Sequence, residues 1–211
     1  MRQSDDFAVT LPDPVLLDLP DRIHTARLLM RPPQASDGRL LFTAVTESLP
    51  ELHRFLASLP WVAAEQSIES SEVYCRNAQA NFVSRKDLPF LLFEASSGDL
   101  VGSAGLHRMD WATPKAEVGY WGRTSRSGKG FMSEAVFALA QFAFKHLHAV
   151  RLELITDEAN AASRKLAQRC GFTLEGTLRS ERRAPDRSLR NTCVYARLAP
   201  APAGARDSNS P

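Results

Sequence analysis

The sequence predicts a single mixed α/β domain, and three observations lead there. Strand-like and helix-like apolar periods follow one another as strand, helices, three strands, helix, strand, helix, two strands. The 211 residues, 44% of them hydrophobic, suffice for one sizeable core. Every Gly/Pro/Ser cluster within the core span is short and no internal repeat occurs, so nothing divides it into two domains.

Residues 1–20 carry Pro12, Pro14 and Pro20 among the acids Asp5, Asp6, Asp13 and Asp18 and read as an N-terminal arm. Residues 199–211, an Ala/Pro run ending in small polar residues, read as a tail, which leaves 21–198 as the domain. Arg27 to Arg31 alternates and stops at Pro32-Pro33, as a first strand would. Asp37 to Leu59 is helical, with an interruption expected near Ser48 to Pro50 because proline lacks an N–H, and Ile68 to Val83 is a further helix. Phe90 to Glu94 and Leu100 to Leu106 flank Ser96-Ser97-Gly98-Asp99, turn chemistry that joins two strands as an antiparallel hairpin. Lys115 to Trp121 follows as a strand whose period of two puts Glu117, Gly119 and Trp121 on one face and Val118 and Tyr120 on the other. From Phe131 to Leu147 apolar residues recur at Met132, Ala135, Val136, Leu139, Ala140, Ala143 and Leu147, and four phenylalanines widen this helical stripe. Leu152 to Thr156 reads as a strand. Asn160 caps a short helix with Ser163, Leu166, Ala167 and Cys170 on its inward face and Gly171 at its stop. Strands at Phe172 to Glu181 and Thr192 to Leu198 complete the domain.

Composition removes several classes of function. A net charge of +2 with 24% charged residues is too balanced for an obligate nucleic-acid binder. Cys75, Cys170 and Cys193 are odd in number and lack metal-ligand spacing, so buried free thiols are expected rather than a disulfide scaffold or a zinc site, and no metal is implied. No run of 18 apolar residues occurs and Asp5 and Asp6 sit where a signal peptide would be cationic, so no membrane association and a soluble cytoplasmic protein are expected.

Chemistry concentrates at a strand, a six-residue turn, Gly128-Lys129-Gly130, and a helix. Glycines at such a junction let backbone amides approach an anion at the helix N-terminus, which points to phosphate. A nucleotide-hydrolase P-loop would need Gly at 123 and Ser or Thr after the lysine, where the chain has Arg123 and Gly130. The dinucleotide pattern fails because Ser133 replaces its third glycine. Val101-Gly102-Ser103-Ala104-Gly105 lacks the first glycine of a nucleophile elbow.

Four segments in one order, Glu117-Val118-Gly119-Tyr120-Trp121, Gly128 to Ala135, Asn160 to Ser163 and Gly171 to Gly176, resemble the GNAT superfamily of acyl-CoA N-acyltransferases. Within it the chain is most similar to the Rim-type ribosomal-protein N-terminal (alanine/serine) acetyltransferases, over about residues 23 to 198. The resemblance implies the GNAT fold: a twisted, mostly antiparallel mixed sheet splayed between its fourth and fifth strands, with acetyl-CoA as co-substrate in the cleft. It puts the diphosphate on amides of Arg126, Ser127, Gly128, Lys129, Gly130 and Phe131, with Tyr120, Trp121, Met132, Asn160 and Ser163 also lining the CoA site. Ser127 stands where the superfamily commonly has Gln or Arg, Met132 where it has a small residue and Gly122 where it has a larger one; Arg126 is the neighbouring source of charge.

Attack of a neutral amine on a thioester needs a base for the amine and an acid for the departing thiolate. An α-amino group has a pKa of about 7.7 to 8 against about 10.4 for lysine, so an N-terminal amine needs little assistance at neutral pH. Glu117, on the Trp121 face, is one candidate base; Glu181 is the other, through a family match offset by about one residue. Ser163 aligns with the Rim-type residue that protonates the thiolate, and it also suits an ordinary cap. Asn160 reads as a helix cap or, by the resemblance, as a pantetheine ligand, or as both. Arg179, Arg182, Arg183, Arg187 and Arg190 form a basic hairpin that by the resemblance borders the acceptor side, there to steer an acidic acceptor or simply to be solvated, and Trp61 either lines the acceptor mouth or anchors a helix end. The acceptor implied is a peptide N-terminus of the ribosomal-protein kind. Two alternatives stand: detoxifying acetylation of a small amine, and a non-catalytic acyl-CoA-binding module. The family expectation is a homodimer.

Overall fold

The computed structural model describes residues 13–184 and 186–200, so residues 1–12 of the expected arm and 201–211 of the expected tail lie outside the described residues. In chain order the elements are β1 (Ile23–His24), β2 (Leu28–Arg31), α1 (Gly38–Leu56), α2 (Pro60–Ala63), α3 (Ile68–Val83), β3 (Leu88–Glu94), β4 (Leu100–Asp110), β5 (Lys115–Gly122), α4 (Phe131–His146), β6 (Arg151–Asp157), α5 (Ala161–Arg169), β7 (Thr173–Arg183) and β8 (Leu189–Leu198). The strands form one open sheet in the order β1-β2-β3-β4-β5-β6-β8-β7. Every pairing is antiparallel except β5 with β6, which is parallel and crosses over through α4.

Each face of the sheet carries its own apolar layer. On one, Ala135, Leu139 and Ala143 of α4 pack against Leu106, Val118 and Leu154, all nearly inaccessible to solvent. On the other, Leu41, Val45 and Leu52 of α1 and Cys75 of α3 cover Leu91 and Leu100. Burying leucines to this extent is worth roughly 1.5–3 kcal/mol each. Leu17 and Leu19, inside the span expected as an arm, also pack on the α4 layer. All three cysteines are buried and free. Among the described residues no helix is long and apolar enough to cross a membrane.

Three local expectations are corrected. The helix from Gly38 runs unbroken through Ser48 and Pro50 to Leu56. Pro50 and Thr46, whose carbonyl the proline cannot bond, both lie at exposed positions, so water can satisfy the group a buried proline would orphan. Phe137, counted in the buried stripe of α4, is 47% exposed, with the Arg197 guanidinium 5.1 Å above its ring. The two-residue strand β1 and four-residue helix α2 are too short to impose a period and were not anticipated. With β1 added, the expected splay between fourth and fifth strands falls between the fifth and sixth. There β5 and β6 pair only at Lys115 with Arg151, Ala116 with Leu152 and Glu117 with Glu153, and the pairing then ceases.

Candidate active site

The end of β5–β6 pairing opens a wedge in the middle of the sheet, with its narrow end at Glu117 and Glu153. Toward the wide end, β5 continues through Tyr120, Trp121 and Gly122, and β6 through Asp157. Backbone amides and carbonyls facing the wedge have no cross-strand partner there, which is the chemistry an extended amide-bearing ligand needs.

Tyr120 points to the α4 side and its hydroxyl lies 2.7 Å from Ser163 Oγ. Asn160 caps α5, its Oδ1 accepting from the Ser163 N–H at 3.0 Å, so Ser163 is fixed by its main chain while its hydroxyl faces the tyrosine. Burial pushes the Tyr120 phenol up to about 12, keeping it protonated at neutral pH. The wedge thus holds a two-hydroxyl relay able to donate a proton.

The glycine turn closes the wide end. Gly128 and Gly130 have φ of +77° and +80°, and Gly130 caps α4 without a side-chain hydrogen bond, leaving its first-turn amides for an anion. The turn is pinned from both flanks. From α1, Glu47 accepts from Arg123 Nε at 2.7 Å and from the Ser125 N–H at 2.8 Å, and Ser48 Oγ accepts from the Thr124 N–H at 3.1 Å. Hydrogen bonding to Ser125, with Arg123 beside it, holds Glu47 down at about 2. From the β2 side, Arg27 donates to the Lys129 carbonyl at 2.9 Å.

Two of the residues that depart from the family pattern, Gly122 and Met132, pack together. A Cβ on Gly122 would stand 3.2 Å from Met132 Cγ, and one on neighbouring Gly102 would lie 3.1 Å from Met132 Cε and 2.3 Å from the Trp121 carbonyl. Missing side chains on the strands make room for the large one on α4. Arg126 does not bring free charge to the turn: its guanidinium holds Glu94 at 3.2 Å and Asp99 of the β3–β4 hairpin. Ser127 Oγ reaches the Arg123 carbonyl at 3.4 Å. Phe131, at the start of α4, is buried, and Arg27 also lies over its ring.

The two candidate carboxylates occupy different places. Glu117 lies at the narrow end, paired with Arg108 across the β4–β5 hairpin. Glu181 lies on β7, separated from β5 in the sheet by β6 and β8, and accepts from the hydroxyl of buried Thr192. Thr192 pairs with Asp157 at the wide end of β6, so Glu181 shares the end of the wedge where Tyr120 and Ser163 meet. Asp157 is 2% exposed, and Arg190 reaches it at 3.4 Å while donating to the Arg54 carbonyl at the end of α1 at 3.2 Å. Trp61 of α2 faces Trp121 with ring centroids 6.4 Å apart, so the far side of the wedge is aromatic. An open groove of about 490 Å³ lined by Phe42, Leu49, His53 and Val62 lies beside Trp61.

Sequence reasoning did not single out Glu47, Ser48, Arg27 or Glu134 as supports of the turn. Only Glu134, in the helix start that carried the resemblance, had a signal; the others lie remote in sequence from the turn they hold.

A family model described as an acetyltransferase (GNAT) domain matches residues 27–173. The chain is 27% identical to an uncharacterized N-acetyltransferase, p20, of Bacillus licheniformis over 172 residues, covering 80% of this chain and 92% of that protein. It is 28% identical to the ribosomal-protein-serine acetyltransferase of Escherichia coli (strain K12) over 144 residues, 67% of this chain and 77% of that one. Among solved structures it is similar to RimL, a ribosomal alpha-N-protein acetyltransferase in complex with coenzyme A, at a TM-score of 0.76 and 22% identity over 86% of this chain and 97% of that chain. The self-immunity acetyltransferase MccE in complex with acetyl-CoA and AMP gives 0.74 and 20% over 82% and 93%. These two likenesses bear on the fold. The family match spans β2 to the start of β7 and contains the wedge, the glycine turn and the Tyr120–Ser163 pair: the chain belongs to the GNAT acetyltransferase family and is an acyltransferase, an N-acetyltransferase.

Proposed function

We propose that the protein transfers the acetyl group of acetyl-CoA to a primary amine, its preferred acceptor being a protein N-terminus of the ribosomal-protein kind. The observation that carries this reading is the interrupted β5–β6 pairing, with a proton-donating hydroxyl pair on one side and an anion-ready glycine turn at its end. Relatives that hold acetyl-CoA or CoA on the same fold support the co-substrate. The likeness to the ribosomal-protein-serine acetyltransferase of Escherichia coli supports the N-terminal acceptor.

In this reading the acceptor nitrogen attacks the thioester carbon, a C–N bond forms and the C–S bond breaks. Glu181, at the wide end, takes the amine proton directly or through water; Ser163, its hydroxyl backed by Tyr120, gives a proton to the departing thiolate. Glu117 is assigned a pairing role with Arg108, whose guanidinium already holds its carboxylate across the β4–β5 hairpin.

The test is thiol release from acetyl-CoA across N-terminal peptides, lysine peptides and small amines, beside calorimetry of CoA alone. Selective turnover of free N-terminal peptides is expected. Turnover confined to small amines would move the acceptor to that class, CoA binding without turnover on any amine would support a non-catalytic module, and absence of CoA binding would overturn the reading.

A further inference from the structure

The glycine turn presents an electrostatic problem that the sequence conceals. Glu134 sits in the first turn of α4, where the helix N-terminus is meant to attract an anion, and a free carboxylate there would occupy that field itself. The fold answers with a segment about a hundred residues earlier. Glu134 Oε1 accepts from Thr25 Oγ1 at 2.6 Å and from the Arg27 N–H at 2.9 Å, and Oε2 accepts from Arg27 Nε at 2.7 Å. Hydrogen bonds from Thr25 and Arg27 outweigh burial and hold the carboxyl below its ordinary value, so it is an anion paired with a cation. The same guanidinium turns its other arm to the turn, Nη1 donating to the Lys129 carbonyl at 2.9 Å. In a trans peptide the carbonyl and the following N–H point to opposite sides, so anchoring the Lys129 carbonyl turns the Gly130 N–H away from Arg27.

We propose that Arg27 is a positioning residue for the acyl-CoA diphosphate: it fixes the Lys129–Gly130 peptide so that its N–H is presented to the anion, and it neutralises Glu134 so that the α4 N-terminus stays attractive to phosphate. The inference rests on the reading of the glycine turn as a CoA site. The polar atoms of Arg27 are directed at protein atoms, the Glu134 carboxylate and the Lys129 carbonyl. Its planar fork serves the carboxylate through Nε and Nη2 and the carbonyl through Nη1, a spacing that the single nitrogen of a lysine does not reproduce. The guanidinium is about half exposed, so neutralisation alone is a modest effect and the peptide anchor carries the larger part.

The experiment compares CoA and pantetheine, which lacks the diphosphate, by calorimetry on the full chain and on Arg27→Lys, Arg27→Ala and Arg27→Ala/Glu134→Gln. Wild-type protein that fails to bind CoA would overturn the proposed function itself. Given wild-type binding, Arg27→Ala is expected to weaken CoA about tenfold or more with pantetheine affinity within twofold of wild type. Arg27→Lys should fall between, and the double variant, which restores charge balance without the anchor, should recover part of the loss. In turnover, the KM for acetyl-CoA should rise while the KM for the acceptor stays put. CoA affinity unchanged in both single variants would refute the proposal; so would equal loss for CoA and pantetheine, which a general structural defect produces. If Arg27→Ala does not fold, Arg27→Lys decides by the same two ligands.

Discussion

The Tyr120 hydroxyl lies 2.7 Å from Ser163 Oγ, across the wedge between β5 and the helix that follows β6. Burial holds the phenol's pKa up at about 12, so at neutral pH it is protonated and the pair can pass a proton to an anion formed beside Ser163. Ser163→Ala is expected to lower kcat about 10- to 100-fold with the KM for acetyl-CoA little changed. Tyr120→Phe should lower it less, and the double variant should match Ser163→Ala, because the tyrosine acts through the serine. Steady-state kinetics on the three variants checks this; fully multiplicative losses would mean that the hydroxyls act separately.

Placement at opposite ends of the wedge separates the two carboxylates. Glu181→Gln should lower kcat about tenfold or more at neutral pH, whereas Glu117→Gln should leave kcat within about twofold and lower the melting temperature slightly. A loss of kcat confined to Glu117→Gln would reverse the assignment.

Gly122 and Met132 make a steric pair that a cycle can measure. Gly122→Leu drives a side chain into Met132 and is expected to destabilise the fold by about 1–3 kcal/mol. Adding Met132→Ala should return part of that loss, giving non-additivity that denaturant titration reads directly.

Glu47 ties acid stability to the glycine turn. Its folded pKa, about 2, lies below the ordinary 4.5, so its contribution is complete above about pH 4.5 and is lost as pH falls through the folded value. The melting-temperature gap between wild type and Glu47→Gln should therefore be constant above about pH 5 and shrink toward pH 2. At neutral pH the gap should be roughly 2–4 °C, as about 1 kcal/mol of hydrogen bonding implies in a domain this size. Differential scanning fluorimetry across that range checks both sign and window.

Most of this protein's local structure was written in its own neighbourhood of sequence. The α3 limits, the β3–β4 hairpin, the Asn160 cap, the stop at Gly171 and the glycine-gated start of α4 all follow from side chains acting within a few residues of themselves, where caps, turns and periods operate. Family motifs, being local strings, were legible for the same reason. Pro50 shows the limit: its effect depends on whether the orphaned carbonyl meets water or core, which no local pattern states. The supports of the site lie wholly beyond that reach. Glu47 and Ser48 meet the turn across more than seventy positions, and Arg27 meets Glu134 across 107. Tertiary structure also decided that Arg126 serves Glu94 and Asp99 rather than the turn, and that Glu117 and Glu181 sit at different ends of one cleft. A charge announces its sign in the sequence, but its partner is chosen by the packing of elements that are distant along the chain.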